Sequence, residues 1–432
     1  MIGKRGMLVT WLVASPILAF AAAPCVDKSE LPAVSGQVIE IASEPALQSA
    51  LANAQGGETL LLKPGTYNLT ATLYVRDNNV TIRGDGDSCD DVVLMGRGME
   101  NSSYGAVPHG VWSDAESLSV VNITIKDVYL HGIVLNPGAQ NPVISSVQLL
   151  NAGQQFLKSN PTTYGVGVDN GVVENSLFAY ESSPPMSNHG GGTGYTNGVD
   201  VHAGDGWVIR GNRFENFHTP DAADHLWNPA ILVWNGATDT VAENNSFINV
   251  DRAISFGLID RSQGYDHQGG VIRNNMIYYE PGLYSSQRTI NSDAAIIVWD
   301  SPSTQVVHNS IVTNGNLNKS IEFRFSTTGS SALNNLVDAP IGSRNGAVFT
   351  QLSNFLNALP SMFVDARSGK PDLKYSEAGG VIDQVNRLNS ALVDFYGENR
   401  PAADGSTDIG AYEYGVALSP PNPPSDVQAV PN

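Results

Sequence analysis

Along most of this chain apolar and polar residues alternate in short bursts separated by Gly, Asn and Asp, the period-2 pattern of half-buried β-strands. One burst recurs in a fixed form: an apolar pair, a polar residue, an Asn, any residue, then an apolar residue. It appears as VVENSL at Asn175, VIRGNRF at Asn212, VAENNSF at Asn245, VIRNNMI at Asn275, VVHNSI at Asn309 and ALNNLV at Asn335. Successive Asn residues are 37, 33, 30, 34 and 26 positions apart, and NITIKDVYLHG from Asn122 and NPVISSVQLL from Asn141 are looser copies. Between copies lies a second alternating burst, as in NGVDVHAG, PAILVWNG, DRAISFGL, AAIIVWDS and KSIEFRFS. Each repeat therefore holds at least two short strands. No amphipathic helix intervenes, which excludes βαβ units. A single repeat cannot bury its own apolar face, whereas stacked repeats share a continuous core. The expected fold class is all-β, a right-handed parallel β-helix solenoid rising about 4.8 Å per rung.

The recurrent Asn suits a turn residue in the left-handed region, and stacked Asn side chains can also form an internal hydrogen-bond ladder. Arg210, Glu243 and Arg273 occupy one repeat position and read as a ladder of alternating charge. At the N-terminal end PALQSALANA, residues 45–54, predicts a short amphipathic capping helix. After residue 345 the Asn period is lost. The expected organisation is an N-terminal cap at 24–58, the β-helix at 59–345, an irregular C-terminal cap at 346–415 and a Pro-rich tail or linker at 416–432. Lys4 and Arg5, an apolar stretch from Met7 to Phe20 and small residues Ala19, Ala21, Ala22 and Ala23 predict a signal peptide over residues 1–22. The expectation is a secreted or periplasmic monomer with no stable membrane insertion once the signal is removed.

Charge narrows the partners. Lys plus Arg number 23 against 42 Asp plus Glu, a net charge of −19 with no basic run, which excludes nucleic-acid binding. Only two cysteines are present. In an oxidising compartment Cys25 and Cys89 either pair or remain two idle thiols.

The segments ALQSALANAQGGETLLLKPGTYNL and RPAADGSTDIGAYEY, together with the repeats, resemble secreted β-helix polysaccharide lyases of the chondroitinase B and alginate lyase type. The resemblance spans roughly residues 44–415 and implies the fold and an acidic or neutral polysaccharide as partner. It also implies a Lys base with an Arg partner and Ca2+ to neutralise the substrate carboxylate. No Lys lies between Lys158 and Lys319, so that pair is not carried over to the central rungs. The paired aspartates and R-I-K of polygalacturonase-type hydrolases are absent. Asp200-Val201-His202 resembles the Asp-Pro-His-Asp strand of mannuronan epimerases, without the Pro and the second Asp.

Strand alternation turns Val199, Val201, Ile231, Val233, Ile254, Phe256, Ile296, Val298, Ile321 and Phe323 inward. Asp200, His202, Trp234, Trp299, Glu322 and Arg324 then face outward, and one column reads His202, Trp234, Gly257, Trp299, Arg324. Trp faces stack on sugar C–H surfaces, while His and Arg supply acid/base and carboxylate contacts; the alternative is that Trp234 and Trp299 pack beneath the long loops. Segments 182–197, 218–229 and 280–293 precede the second strand of their repeats and are expected to stack as one wall, with 258–269 forming the other. Within them, Asp221, Asp224 and His225 form a D-x-x-D-H string, read either as a Ca2+ site or as an exposed polar loop.

Three activities follow from these candidates. In uronate β-elimination or epimerisation, His202 or His225 is the base, Arg252 and Arg324 meet the carboxylate, and Tyr195 or Tyr265 is the acid. In glycoside hydrolysis two carboxylates act, from a pool of Asp200, Asp224, Asp260 and Glu322. Trp234, Trp299, Glu322, Tyr265 and His218 are the candidate substrate-binding residues, and in the third reading, glycan binding without turnover, the Trp column holds the ligand. Lyase chemistry is placed first.

Overall fold

The computed structural model describes residues 25–415. The signal-peptide and Pro-rich-tail expectations fall on residues outside that range. Nearly all regular structure is short parallel strand, gathered into a sheet of twelve strands (sheet 1) and two sheets of ten (sheets 2 and 3). The chain visits sheets 1, 2 and 3 in turn and returns to sheet 1 one rung further on. In one coil Val208–Arg210 lies in sheet 1, Arg213–Glu215 in sheet 2 and Pro229–Trp234 in sheet 3. This winding is the right-handed parallel β-helix.

Its core follows from alternation. All ten residues assigned inward are completely buried. Phe178, Phe214 and Phe247 stack rung on rung with centroids 4.9 Å apart. Each such ring contributes about 1.5–3 kcal/mol on burial.

The recurrent Asn motif is two strands bent at the corner between sheets 1 and 2. The residue at the bend takes a positive φ: Gly211, Asn244, Asn274, His308 and Asn334. The next residue forms the ladder. Nδ2 of Asn212, Asn245, Asn275, Asn309 and Asn335 each donates to Oδ1 of the Asn one coil on, at 3.1, 3.0, 2.9, 3.0 and 2.9 Å, ending at Asn354. Both explanations of the Asn are realised, at adjacent positions. Asn175 is out of series: it is the left-handed residue (φ 50°), and Ser176 occupies the ladder position. The charge ladder exists as two pairs, Glu174–Arg210 at 2.7 Å and Glu243–Arg273 at 2.6 Å.

Helix α1 (Glu44–Ala52), N-capped by Ser43, lays Leu47 and Leu51 on the core at the N-terminal end. Strand Gln37–Ile41 pairs with Glu58–Leu62, so sheet 1 begins ahead of residue 59. At the other end it runs on to Phe349–Leu352. Residues 358–415 turn back along the outer face of sheet 2, where Met362, Phe363, Val381 and Ile409 pack with Met276, Tyr278, Val312 and Leu336. RPAADGSTDIGAYEY is the clasp of this segment. Its fully buried Arg400 bonds Glu413 at 2.8 Å, Gly410 O at 3.0 Å and Asn274 Oδ1 at 3.1 Å. Cys25 and Cys89 form a disulfide, with Cα atoms 5.8 Å apart. No helix among the described residues is long and apolar enough to cross a membrane.

Candidate functional site

The outer face of sheet 3 brings the outward candidates together. Strand register aligns Trp112, Val134, Lys158, Asp200, Leu232, Ser255, Ile297 and Glu322 in one column. The neighbouring column holds His202 and Trp234, then Gly257, then Trp299, Arg324 and Arg344. Gly257 has its own structural cause: φ is +82°, and a Cβ there would stand 1.8 Å from the Trp299 carbonyl oxygen.

Asp200 organises the first cluster. Its side chain is buried, and Oδ2 accepts from Lys158 Nζ at 3.0 Å and meets His202 Nε2 at 3.3 Å. Oδ1 accepts the Trp234 indole N–H at 3.0 Å. Burial alone would raise the Asp200 pKa, but the Lys158 charge and the His202 contact outweigh it and hold the carboxyl well below the ordinary range. An ionised carboxylate only accepts, so the hydrogen between the two is on His202 Nε2, and in the neutral ring Nδ1 is then the acceptor. Burial pulls the Lys158 ammonium down, yet Asp200 leaves it raised on balance and therefore charged. Tyr195, on the 182–197 segment, is pushed up by burial and by Asp200 and stays a phenol. The His202 ring packs 4.5 Å from Trp234.

A second cluster sits at the far end of the face. Asp293 pairs with Arg252 at 2.5 Å and Arg324 at 2.6 Å. Glu322 pairs with Lys319 at 2.6 Å, Arg324 at 2.5 Å and Arg344 at 3.1 Å. Four cations surround two carboxylates. The Arg324 guanidinium lies 4.5 Å from the Trp299 ring centroid, and the buried Trp299 indole N–H finds no hydrogen-bond partner among the described residues. Arg252 and Arg324 are almost wholly enclosed by these pairings, while Lys319 and Arg344 reach solvent.

The segments before sheet 3 stack on one another as expected. Asp224 accepts from the Thr193 N–H and hydroxyl, each at 2.9 Å, and His225 Nε2 lies 2.5 Å from Gly191 O with its ring 5.1 Å from Tyr195. Asp221 instead pairs with Arg288 at 3.1 Å, so the two aspartates considered for Ca2+ are held by separate partners. Arg288, on the short helix α2 (Ser286–Asn291), also bonds Asp251 at 2.6 Å and the Thr219 and Leu226 carbonyls. His218 bonds Asp251 at 2.8 Å and stacks on Tyr284, which makes it part of this brace. On the opposite wall Tyr265 is 40% exposed, and its backbone brackets the Tyr164 hydroxyl. Among the described residues the one group of three or more metal-ligating side chains in reach of one another is Asp383, Asp408 and Glu413, in the C-terminal clasp.

Residue-by-residue reading overlooked Lys158, Asp293, Arg288 and the buried stack of His109 on His131, whose rings lie 5.1 Å apart. Burial lowers these two imidazoles to about 4 and about 3, so both are neutral near pH 7. Lys158 could have been found by extending the Asp200 column one rung upstream, into FLKS. Asp293 and Arg288 carry no periodic signal.

No family model and no curated protein matches the chain. Among solved structures it is similar to an alginate lyase from Paenibacillus sp. str. FPU-7, at 16% identity and TM-score 0.48, over 74% of this chain and 95% of that one. It is also similar to pectate lyase Pel9A, at 13% and 0.41 over 91% and 100%, and to PfbA, a surface adhesin of Streptococcus pneumoniae, at 13% and 0.43 over 72% and 88%. At these identities what is shared is the winding.

Proposed function

We propose that the outer face of sheet 3 binds a uronate-containing polysaccharide and cleaves it by β-elimination beside Lys158, Asp200 and His202. The supporting observation is the Asp200 cluster: one buried carboxylate that holds a cation, an imidazole and an indole on a single face. The Lys158 ammonium meets the sugar carboxylate and makes the adjacent C5 proton more acidic. His202 Nδ1 takes that proton. The C5–H electrons form the C4–C5 double bond, the C4–O4 bond breaks, and Tyr195 protonates the departing oxygen. Asp200 is a positioning residue that fixes the imidazole tautomer and stabilises the imidazolium.

This assignment departs from the expected pairing of Arg252 and Arg324 with the substrate carboxylate, because those side chains keep only 7% and 2% of their surface in solvent, whereas Lys158, though also paired, keeps 17%. Arg344 and Lys319 also pair with Glu322 but reach solvent, so they are the cations at that end that can meet a neighbouring uronate. Hydrolysis by Asp200 together with Glu322 is disfavoured by distance. Asp200 and Glu322 lie four rungs apart, about 19 Å, whereas such pairs work at about 5–9.5 Å. In this reading residues 1–22 are removed on export, and the protein acts outside the cytoplasm as a monomer.

The test is incubation with alginate, polygalacturonate and chondroitin sulfate, following ultraviolet absorbance of the unsaturated uronate together with reducing ends. Both rise in wild type, and His202→Ala abolishes both. Reducing ends without absorbance would overturn β-elimination and return attention to the carboxylates.

A further inference from the structure

The outer face of sheet 3 continues on the N-terminal side of Lys158, and there its character changes. Beyond Val134 the central column presents Trp112 and then Tyr74. Tyr74 is 44% exposed, although its strand neighbours Leu73 and Val75 are buried at 0% and 1%. The two rings lie 5.6 Å apart, tilted by 58°. Arg76 spans both, its guanidinium carbon 5.4 Å from the Tyr74 centroid and 4.8 Å from that of Trp112. The Arg76 side chain is 60% exposed and pairs with Asp114 at 3.3 Å. Beside it opens a hollow of about 520 Å³ lined by Gln55, Gly57, Asn78 and Arg76 itself. These outward rings add nothing to the coil's interior, which Leu73, Val75 and Val111 fill at the same rungs. An exposed Tyr beside a half-buried Trp, braced by an arginine, offers flat apolar faces with a charged hydrogen-bond donor alongside, the combination that takes the C–H face of a sugar ring and its hydroxyl or carboxylate groups.

We infer that Tyr74, Trp112 and Arg76 form a remote subsite for the same polysaccharide chain that is cleaved at Lys158 and His202. This inference rests on the polysaccharide reading of that face. Register supplies the continuity. Trp112 stands two rungs from Lys158, about 10 Å, and Tyr74 three rungs, about 14 Å. Parallel strands keep the column straight, so a chain lying along the groove across Lys158 meets the rings without bending. Affinity therefore grows with chain length, while an oligosaccharide that fills only the Lys158 region is turned over as if the rings were absent.

The experiment is affinity electrophoresis of the mature protein through gels containing alginate, polygalacturonate, chondroitin sulfate or neutral xylan. Wild type is compared with Trp112→Ala, with Tyr74→Ala/Trp112→Ala and with Arg76→Ala, each checked for folding by circular dichroism. Retardation requires no turnover, so it reads the subsite separately from the chemistry. The double variant is expected to lose about tenfold or more in affinity for whichever polymer retards wild type, with turnover of short oligosaccharides unchanged. Arg76→Ala is expected to weaken acidic polymers only, and it carries the test if the double variant unfolds. Retardation by xylan alone that disappears in the double variant supports the subsite while overturning the uronate chemistry. Equal retardation of wild type and the double variant, or no retardation of wild type by any of the four polymers, overturns the subsite.

Discussion

Replacing Asp200 by Asn probes the site and the fold together. The carboxylate is completely buried and receives Lys158, His202 and Trp234 at 3.0, 3.3 and 3.0 Å. Asn keeps one acceptor oxygen but turns an NH2 group toward groups that also donate. Removing one partner of a buried ion pair costs about 3–5 kcal/mol. Lys158 keeps 17% of its side chain in solvent, so the lower end applies, about 3 kcal/mol. The assay is urea unfolding of mature wild type and variant, read as the shift in midpoint at constant slope. A loss below about 1 kcal/mol would refute the buried pair. The pH dependence gives an independent check. The folded-state pKa of Asp200 lies below its unfolded value, so its contribution is complete above about pH 4 and fades as pH falls further. The stability gap between wild type and variant should shrink as pH falls below about 4. Activity should drop at least about a hundredfold, because the imidazole tautomer is no longer fixed. Full activity in a destabilised variant would show that Asp200 does not orient His202.

Asn275→Ala should cost about 3 kcal/mol by urea unfolding, because Asn275 Oδ1 accepts the Asn245 backbone and side-chain N–H groups inside the coil; Asn354→Ala, at the ladder's half-exposed end, should cost less, and equal losses would refute the ladder argument. Burial raises Asp408 to about 6 and Glu413 to about 7, with Asp408 also pushing Glu413 up, so the folded clasp holds protons that the unfolded chain has released. Its stability should therefore rise as pH falls from about 7 toward 5 and be lost as pH rises through that window, and limited proteolysis of residues 358–415 should be slower at pH 5 than at pH 8. Gly257→Ala should lower the melting temperature, since it forces a Cβ into the Trp299 carbonyl at positive φ; an unchanged melting temperature would refute that packing.

The parts of the site that could be read from sequence are those set by strand alternation. His202, Trp234, Gly257, Trp299 and Arg324 do form one column, because a strand has a period of two and parallel strands stack like on like. The roles of Arg252, Arg324 and His218 could not be read, because each depends on a partner from another coil. Asp293 comes from the corner ahead of one sheet 3 strand to meet arginines on strands either side of it. Asp251 joins a histidine from one loop to an arginine from the next. Lys158 lies one rung N-terminal to Asp200, at the edge of the lysine-free stretch 159–318.

Sequence alone determined the winding, the inward set, the recurrent Asn and the capping helix. These are local or periodic properties, repeated often enough that one misplaced copy, Asn175, changes nothing. Tertiary structure decided three further things: which carboxylates are neutralised, where the C-terminal segment lies, and which polar groups share one face. The physical reason is that ion pairing and desolvation act between groups within a few ångströms in space, and in a coiled chain those groups stand some thirty residues apart with spacing that varies from loop to loop.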